Sequence, residues 1–395
     1  MSRTGTGRPP GCASTLLASF RGVDTSLRSP SAAERVASVV LIAGAIAVVI
    51  AALPFKPFDL DRFFVPKELV LALTTASIAV ALIETSRRIE VARIDLLLLA
   101  WLALNTVSAI FATNGWLAGR ALGVTAGGVA TFWCARAIAC TGAGRWVIPG
   151  LAFATVVASM TSLAQAYGWT SEFISVNRAP GGTLGNRNFV AHLAAIGVPA
   201  LLYLTLGSRR WYGSILPAAG LAISAAALVM SRTRAAWLAL IVAGGVLLAA
   251  AIWRRRMVFT APVLGRTVLA AVLIAGAAAA AMFMPNKLRW NSDSPYLETA
   301  TDVVNYREGS GRGRLIQYRN SAKLAIDNPL LGVGPGNWSV AYPEVASRRD
   351  PSLDDSGMTA NPWPSSDWVA FLAERGIPAF AALALGAATL RRRTA

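Results

Sequence analysis

Charged side chains are scarce in this chain. Of its 395 residues only 14% are Asp, Glu, Lys or Arg, whereas 55% are hydrophobic. Soluble domains carry about 25% charged residues, so the composition excludes an ordinary soluble protein. Apolar runs of about 18 residues or more recur along the whole length, and such runs are typical of membrane-spanning helices. The sequence therefore predicts an all-α polytopic membrane protein.

Histidine, cysteine and acidic clusters are also scarce. The chain has one histidine and three scattered cysteines, from which neither a disulfide nor a metal site follows. The long predicted outer loop, residues 285–366, contains no Asp-x-Asp pair, and the predicted outer loops contain no His/Asp cluster with metal-ligand spacing. We predict neither a cofactor nor a metal.

A basic domain is missing as well, although the formal net charge is +17. The arginines lie between the apolar runs, so we exclude nucleic acid as a partner. Residues 1–34 are rich in Ser, Arg, Gly, Thr and Pro, and they predict a disordered basic cytoplasmic tail.

What the sequence does contain is ten candidate membrane spans. Nine of them form a predicted membrane domain over residues 35–284, and the tenth lies in residues 367–395. The predicted spans are residues 35–53, 67–84, 95–112, 118–137, 146–166, 188–206, 212–230, 235–252, 267–284 and 367–390. Only "SRTR" separates the seventh span from the eighth, so an alternative fuses or shifts these two.

The distribution of Lys and Arg predicts the orientation. With the N-terminus in the cytoplasm, the inner segments carry more than twice as many Lys and Arg as the short outer loops. Both termini are then cytoplasmic. Residues 285–366 form one long loop on the outer side, and a loop of this length is usually functional. Within it, "RLIQYRNSAKLAI" has helical spacing, and "DNPLLGVGPGNW" predicts glycine-rich turns.

Arginines stand at the outer ends of two spans. "GGTLGNRNFVAHLA" places Arg187 at the start of the sixth span, and "SRTR" contains Arg232 and Arg234. Arginine suits phosphate groups, glycines permit close backbone approach, and a helix start favours an anion. These features predict a pyrophosphate site, with snorkelling to lipid phosphates as the alternative. We expect His192 to be a hydrogen-bonded interior residue rather than a proton carrier.

Several segments resemble the O-antigen ligase and polymerase superfamily. They are "FFVPKELVLAL", "GTLGNRNFVAHLAAIGVPALL", "SRTRAAWLALIVAGGVLL", "RLIQYRNSAKLAIDNPLLGVGPGNWSVAYPE" and "DWVAFLAERGIPAF". Together they cover most of residues 35–390, and their order around a single long outer loop is more specific than any one motif.

The resemblance implies a membrane glycosyltransferase of the GT-C type in the bacterial inner membrane, with its active face periplasmic. Such enzymes take a glycan from undecaprenyl pyrophosphate and transfer it to a lipid A core, a growing glycan or a protein, without a metal. In the family, arginines near these spans and in the loop bind the pyrophosphate. The matching positions here are Arg187, Arg232, Arg234 and Arg314.

The sequence departs from the family pattern just before the last span, where family ligases have a histidine thought to serve the acceptor hydroxyl. Here the stretch is "NPWPSSDWVAFLAERG". Asp367 or Glu374 could be the catalytic base instead, or the reaction needs little base. Asp367 could also simply cap its helix, and Glu374 could pair with Arg375.

Two further alternatives stay open. Trp338 and Trp363 are candidates for stacking on sugar rings or for interfacial belt residues. The protein could also be a non-catalytic relative that acts as a small-anion transporter or as a polysaccharide-export partner. A carrier is expected to show internal repeats and broken spans, and no repeat is visible in the sequence.

Overall fold

The computed structural model describes residues 30–54, 61–83, 91–139, 142–174, 178–253, 260–290, 292, 294–301, 309–347, 364 and 366–394. In these ranges the chain forms thirteen α-helices and no β-strand, which confirms the all-α prediction. The helices are α1 (Ala32–Ile50), α2 (Asp61–Ile83), α3 (Arg93–Ile110), α4 (Gly115–Ala139), α5 (Val147–Ala166), α6 (Arg187–Gly207), α7 (Ile215–Ser231), α8 (Arg234–Trp253), α9 (Ala261–Phe283), α10 (Pro295–Thr301), α11 (Gly309–Asp327), α12 (Trp338–Val345) and α13 (Asp367–Thr394).

Ten of these helices are long and apolar enough to cross a membrane: α1 to α9 and α13. They coincide with the ten predicted spans, and α7 and α8 are separate helices, so the fused alternative is wrong. Large apolar side chains on them face outward; Leu216 is 82% exposed and Trp253 is 89% exposed. Apolar surface of this extent needs lipid or a partner to cover it. The protein is a multi-pass membrane protein.

The chain divides into two compact units. The first contains α3, all but the last residues of α4, and α11 to α13. The second contains α1, α2 and α5 to α10.

In the first unit, α13 packs against α3 and α11, and the short α12 packs against α11 and α13. Trp338 and Tyr342 of α12 stack with ring centres 4.4 Å apart in a core that also contains Leu324 and Ala373. The Trp338 indole donates to Ser321 Oγ at 2.9 Å and is 1% exposed. Trp338 is therefore a core residue, so the predictions of sugar stacking and of a position in the interfacial belt are both wrong for it. Trp363 lies outside the described residues.

In the second unit, α5, α6 and α7 pack against one another, α9 packs on α7, and α1 packs on α2 and α5. Small residues allow these helices to approach closely, as is common in membrane proteins. A Cβ atom at Gly197 of α6 would lie 2.0 Å from Thr155 Oγ1 of α5.

The last candidate span is broken. Gly376 has φ 74° and ψ 175°, which interrupts α13 about two and a half turns from its start. The glycine-rich turn, residues 328–337, fills the break: Val333 N donates to Ala373 O at 3.0 Å, Gly334 N to Glu374 O at 2.9 Å, and Ile377 N to Pro329 O at 2.8 Å. The sequence predicted the turn but not its partner. Backbone groups freed by a break within a membrane need such partners.

Candidate anion-binding site

The glycine-rich polar segment before α6 forms a helix start. After the 3₁₀ turn Gly182–Leu184, Asn186 is the N-cap of α6, and its Oδ1 accepts from Asn188 N at 3.0 Å. Arg187 is the first residue of the helix. This local structure agrees with the expectation of a helix N-terminus beside an arginine.

Lys67 fixes this segment to the neighbouring helices. Its ammonium donates to the backbone carbonyls of Val49, Ala51 and Thr183. Two of these belong to the C-terminal end of α1, where helix carbonyls have no intrahelical partner and a cation is favourable. The Thr183 hydroxyl adds a bond to Val49 O at 2.8 Å. The segment is therefore held by a half-buried cation from α2.

Arg232 occupies the turn between α7 and α8 in an unusual conformation. Its φ is 52° and its ψ is 29°, in the left-handed region that non-glycine residues rarely adopt. Backbone strain of this kind persists where the surrounding structure holds it, often at functional sites. The Arg232 Nε donates to Thr299 Oγ1 at 2.7 Å, and Nη2 donates to Glu298 Oε2 at 2.9 Å.

Arg187 and Arg232 converge on one aromatic ring. Their guanidinium carbons lie 5.1 Å and 4.8 Å from the ring centre of Trp290, within the range of a cation–π interaction. The charges of Arg178 and Arg232 both repel that of Arg187. We call Arg178, Arg187, Arg232 and Trp290 the arginine cluster.

The arginine cluster has more positive than negative charge. Among the described residues, Glu298 pairs with Arg232, and Arg187 has no ion-pair partner; its Nη1 donates to Ala179 O at 3.4 Å. Guanidinium groups with uncommitted donors are suited to bidentate phosphate binding. The arrangement can therefore hold an anion.

Two further donors lie in or beside the cluster. The Trp290 indole nitrogen and the Tyr296 hydroxyl are buried and have no hydrogen-bond partner among the residues that the structure describes. Tyr296 lies close to Asn286 and Trp290, but the geometry gives no bond. Burial raises the pKa of the Tyr296 hydroxyl, so it stays protonated and able to donate at neutral pH.

The start of α13 carries the two candidate bases of the first unit. Asp367 is the exposed first residue of the helix. Glu374 follows seven residues later on the same face of the helix, roughly 10 Å along the helix axis. Glu374 is buried, and its Oε1 accepts from Trp338 N at 3.3 Å, at the start of α12.

Arg375 is the buried neighbour of Glu374. Its Nη1 lies 3.9 Å from Glu374 Oε2, its Nη2 donates to Thr125 Oγ1 at 3.2 Å, and its guanidinium carbon is 4.2 Å from the Phe371 ring centre. The sequence offered an ion pair with Arg375 as the structural role of Glu374. That pair is present, with its charged atoms 3.9 Å apart.

A comparison with known families finds a match within the second half of the chain. Residues 219–384 match a family model described as O-antigen ligase. The chain contains an O-antigen ligase domain. The resemblance read from the sequence is confirmed, and the domain extends from α7 into α13. Comparisons with curated proteins and with solved structures give no match.

The O-antigen ligase domain contains most of the predicted site residues, and Arg187 precedes it. The structure brings Arg187 and Arg232 together. Arg234 is half-buried at the start of α8, and Arg314 is half-buried on α11 in the other unit. Their role in pyrophosphate binding stays a prediction, as do the catalytic roles of Asp367 and Glu374.

Some features of the site differ from expectation. His192 is exposed on α6, so the prediction of an interior histidine was wrong.

Within the described ranges no three His, Cys, Asp or Glu side chains come together as ligands for one metal ion. Sequence reasoning missed Trp290, Tyr296 and Glu298, because their importance comes from arginines that approach them from distant helices.

Proposed function

We propose that the protein is an O-antigen ligase-like glycosyltransferase that moves a glycan from undecaprenyl pyrophosphate to a lipid, glycan or protein acceptor at the periplasmic face. The observation that carries this proposal is the convergence of Arg187 and Arg232 on the Trp290 ring. Among the described residues, one carboxylate, that of Glu298, pairs with Arg232. The O-antigen ligase domain supports the reaction class.

The proposed reaction places a growing charge beside these arginines. The acceptor hydroxyl oxygen bonds to the anomeric carbon of the glycan while the bond from that carbon to the phosphate oxygen breaks. The electron pair leaves with the lipid pyrophosphate, and the hydroxyl proton passes to a base. Fixed guanidinium groups that face the leaving oxygen lower the barrier because they need no reorganisation during the step. Arg187 and Arg232 supply that charge, with Arg234 and Arg314 as further candidates.

We assign the base role to Asp367 ahead of Glu374. Asp367 is an exposed carboxylate that a hydroxyl group can reach. One oxygen of buried Glu374 already accepts the backbone N–H of Trp338, and the other faces Arg375. Those contacts suit a residue that positions α12 against α13 better than one that accepts a proton from substrate.

A transfer assay in proteoliposomes tests the proposal. Donor glycan on undecaprenyl pyrophosphate is supplied with a panel of acceptors to wild type, Arg187→Ala, Arg232→Ala and Asp367→Asn. Arg209→Ala is the matched control, because Arg209 is exposed just beyond the opposite end of α6. We expect each arginine variant of the cluster to lose at least about tenfold in rate, with Arg209→Ala unchanged. Equal rates in all variants would overturn the assignment.

A second candidate function is a small-anion transporter. The break of α13 at Gly376, with buried Arg375 beside it, favours this candidate, since broken spans form the binding sites of many transporters. Anion flux through sealed proteoliposomes without any glycan donor decides between the two. Flux that Arg375→Met abolishes would support transport, and its absence alongside glycan transfer would exclude it.

A further inference from the structure

We infer that Glu298 is an internal counter-ion which occupies the place of a phosphate on Arg232, and that it sets the selectivity of the site for the doubly charged lipid pyrophosphate over the single phosphates of ordinary membrane lipids. This inference rests on the proposed function. It concerns a residue that neither the sequence nor the family match singles out.

Glu298 and Arg232 form a close ion pair in which the carboxylate is the more exposed partner. Glu298 Oε2 lies 2.9 Å from Arg232 Nη2, which is the position that a phosphate oxygen would take on the same donor. The Arg232 side chain is 15% exposed and the Glu298 side chain is 45% exposed. The arginine is therefore fixed, and the carboxylate lies on the open side of the pair.

Thr299 anchors α10 to Arg232. Thr299 is 1% exposed, its hydroxyl accepts from Arg232 Nε, and it donates to Pro295 O at 2.8 Å. These bonds hold the helix to Arg232 without any contribution from Glu298. The carboxylate can thus rotate away from Arg232 while the helix stays in place.

Anions that bind Arg232 compete with the Glu298 carboxylate. An anion that approaches Arg232 meets both the arginine charges and the repulsion of the Glu298 carboxylate. A phosphodiester carries one negative charge and gains little by displacing a carboxylate of the same charge. A pyrophosphate carries more negative charge and has more oxygen atoms, so it can contact Arg187 as well as Arg232. Arg187 has no ion-pair partner among the described residues. Specificity of this kind arises from a repulsive element in the site.

A binding experiment tests the inference on the full-length protein in detergent. Undecaprenyl pyrophosphate is titrated by calorimetry into wild type, Glu298→Gln and Arg232→Ala, each with and without excess phosphatidylglycerol. Glu344→Gln is the matched control, since Glu344 is exposed on α12 outside the cluster. We expect Glu298→Gln to bind the pyrophosphate about two- to fivefold more tightly and to become sensitive to phosphatidylglycerol, with Glu344→Gln unchanged.

Two results separate the inference from the proposed function. If Glu298→Gln binds with unchanged or weaker affinity while Arg232→Ala loses binding, the counter-ion role is wrong and the pyrophosphate site stands. If wild type and Arg232→Ala bind the pyrophosphate equally, the proposed function itself is wrong. Thermal melting of each variant shows that it is folded, and a Glu298→Asp variant, which keeps the charge, is expected to behave like wild type.

Discussion

At the scale of single residues, the unusual feature is an arginine in the left-handed region at the end of a helix. Glycine is the usual residue at that position because it has no Cβ. Arg232 instead contacts Trp290, Glu298 and Thr299 through its side chain. The conformational cost is consistent with a side chain retained for its charge.

Replacement of Arg232 by glycine separates stability from activity. Arg232→Gly relieves a strain of roughly 1 kcal/mol, so we expect a melting temperature equal to or above that of Arg232→Ala. Both variants are expected to lose glycan transfer. Thermal unfolding in detergent and the transfer assay measure the two effects. Transfer by Arg232→Gly at the wild-type rate would show that the guanidinium is dispensable.

Lys67 shows how much of the site the sequence could predict. The motif "FFVPKELVLAL" contributed to the family resemblance but gave no partner for the lysine, since its three carbonyl acceptors come from α1 and from the segment before α6. The arginines could be grouped from sequence because they stand at span ends. Trp290 and Glu298 could not be, because tertiary contacts alone bring them to those arginines.

Removal of the Lys67 ammonium should loosen the segment that presents Arg187. Lys67→Met removes the lysine hydrogen bonds to Ala51 O and Thr183 O, at about 1–3 kcal/mol, while Val49 O keeps the Thr183 hydroxyl, so we expect a lower melting temperature. Because Lys67 positions the donor site, the KM for the lipid donor should rise more than kcat falls. Lys67→Arg, which keeps the charge and donors, should recover part of both. A fall in kcat alone would contradict a positioning role.

At the scale of elements, the helices were predictable and the break in α13 was not. Each span follows from the length and apolarity of one run of sequence. The break depends on the glycine-rich turn that supplies partners for its backbone, and that turn is about forty residues earlier in the chain. Neither segment alone indicates the pairing.

The break makes Gly376 intolerant of a side chain. A Cβ there would lie 2.4 Å from Leu330 O, and the residue has φ 74°. We expect Gly376→Ala to destabilise the protein by at least about 1–2 kcal/mol. Gly265→Ala in α9 is the control, because nothing lies within 4 Å of its Cβ position and alanine favours a helix. Melting temperatures of the two variants should move in opposite directions, and a stable Gly376→Ala would refute the strained break.

At the scale of the whole molecule, the predicted orientation places the arginine cluster on the periplasmic side and both termini in the cytoplasm. Loop charge is the basis for this orientation. The ten candidate spans of the described residues are compatible with it, because an even number of spans returns the chain to its starting side.

Cysteine labelling tests the orientation. After replacement of the native cysteines, Arg289→Cys, beside Trp290, should react with a membrane-impermeant maleimide in intact cells. Arg209→Cys, at the other end of α6, should react only after permeabilisation. Both positions are exposed, so accessibility within the protein does not limit labelling. The reverse pattern would place the arginine cluster in the cytoplasm and would exclude a periplasmic donor.

The broken last span has a consequence for how the protein is made. The ribosome synthesises α13 after the glycine-rich turn, and the insertion machinery receives a segment whose backbone near Gly376 is incomplete without that turn. The turn therefore has to be available before the final segment can settle in the bilayer. The first unit therefore assembles late, from segments that are far apart in the chain. A chain cut before residue 367 would lose α13 and also the backbone partners that α13 provides for the glycine-rich turn.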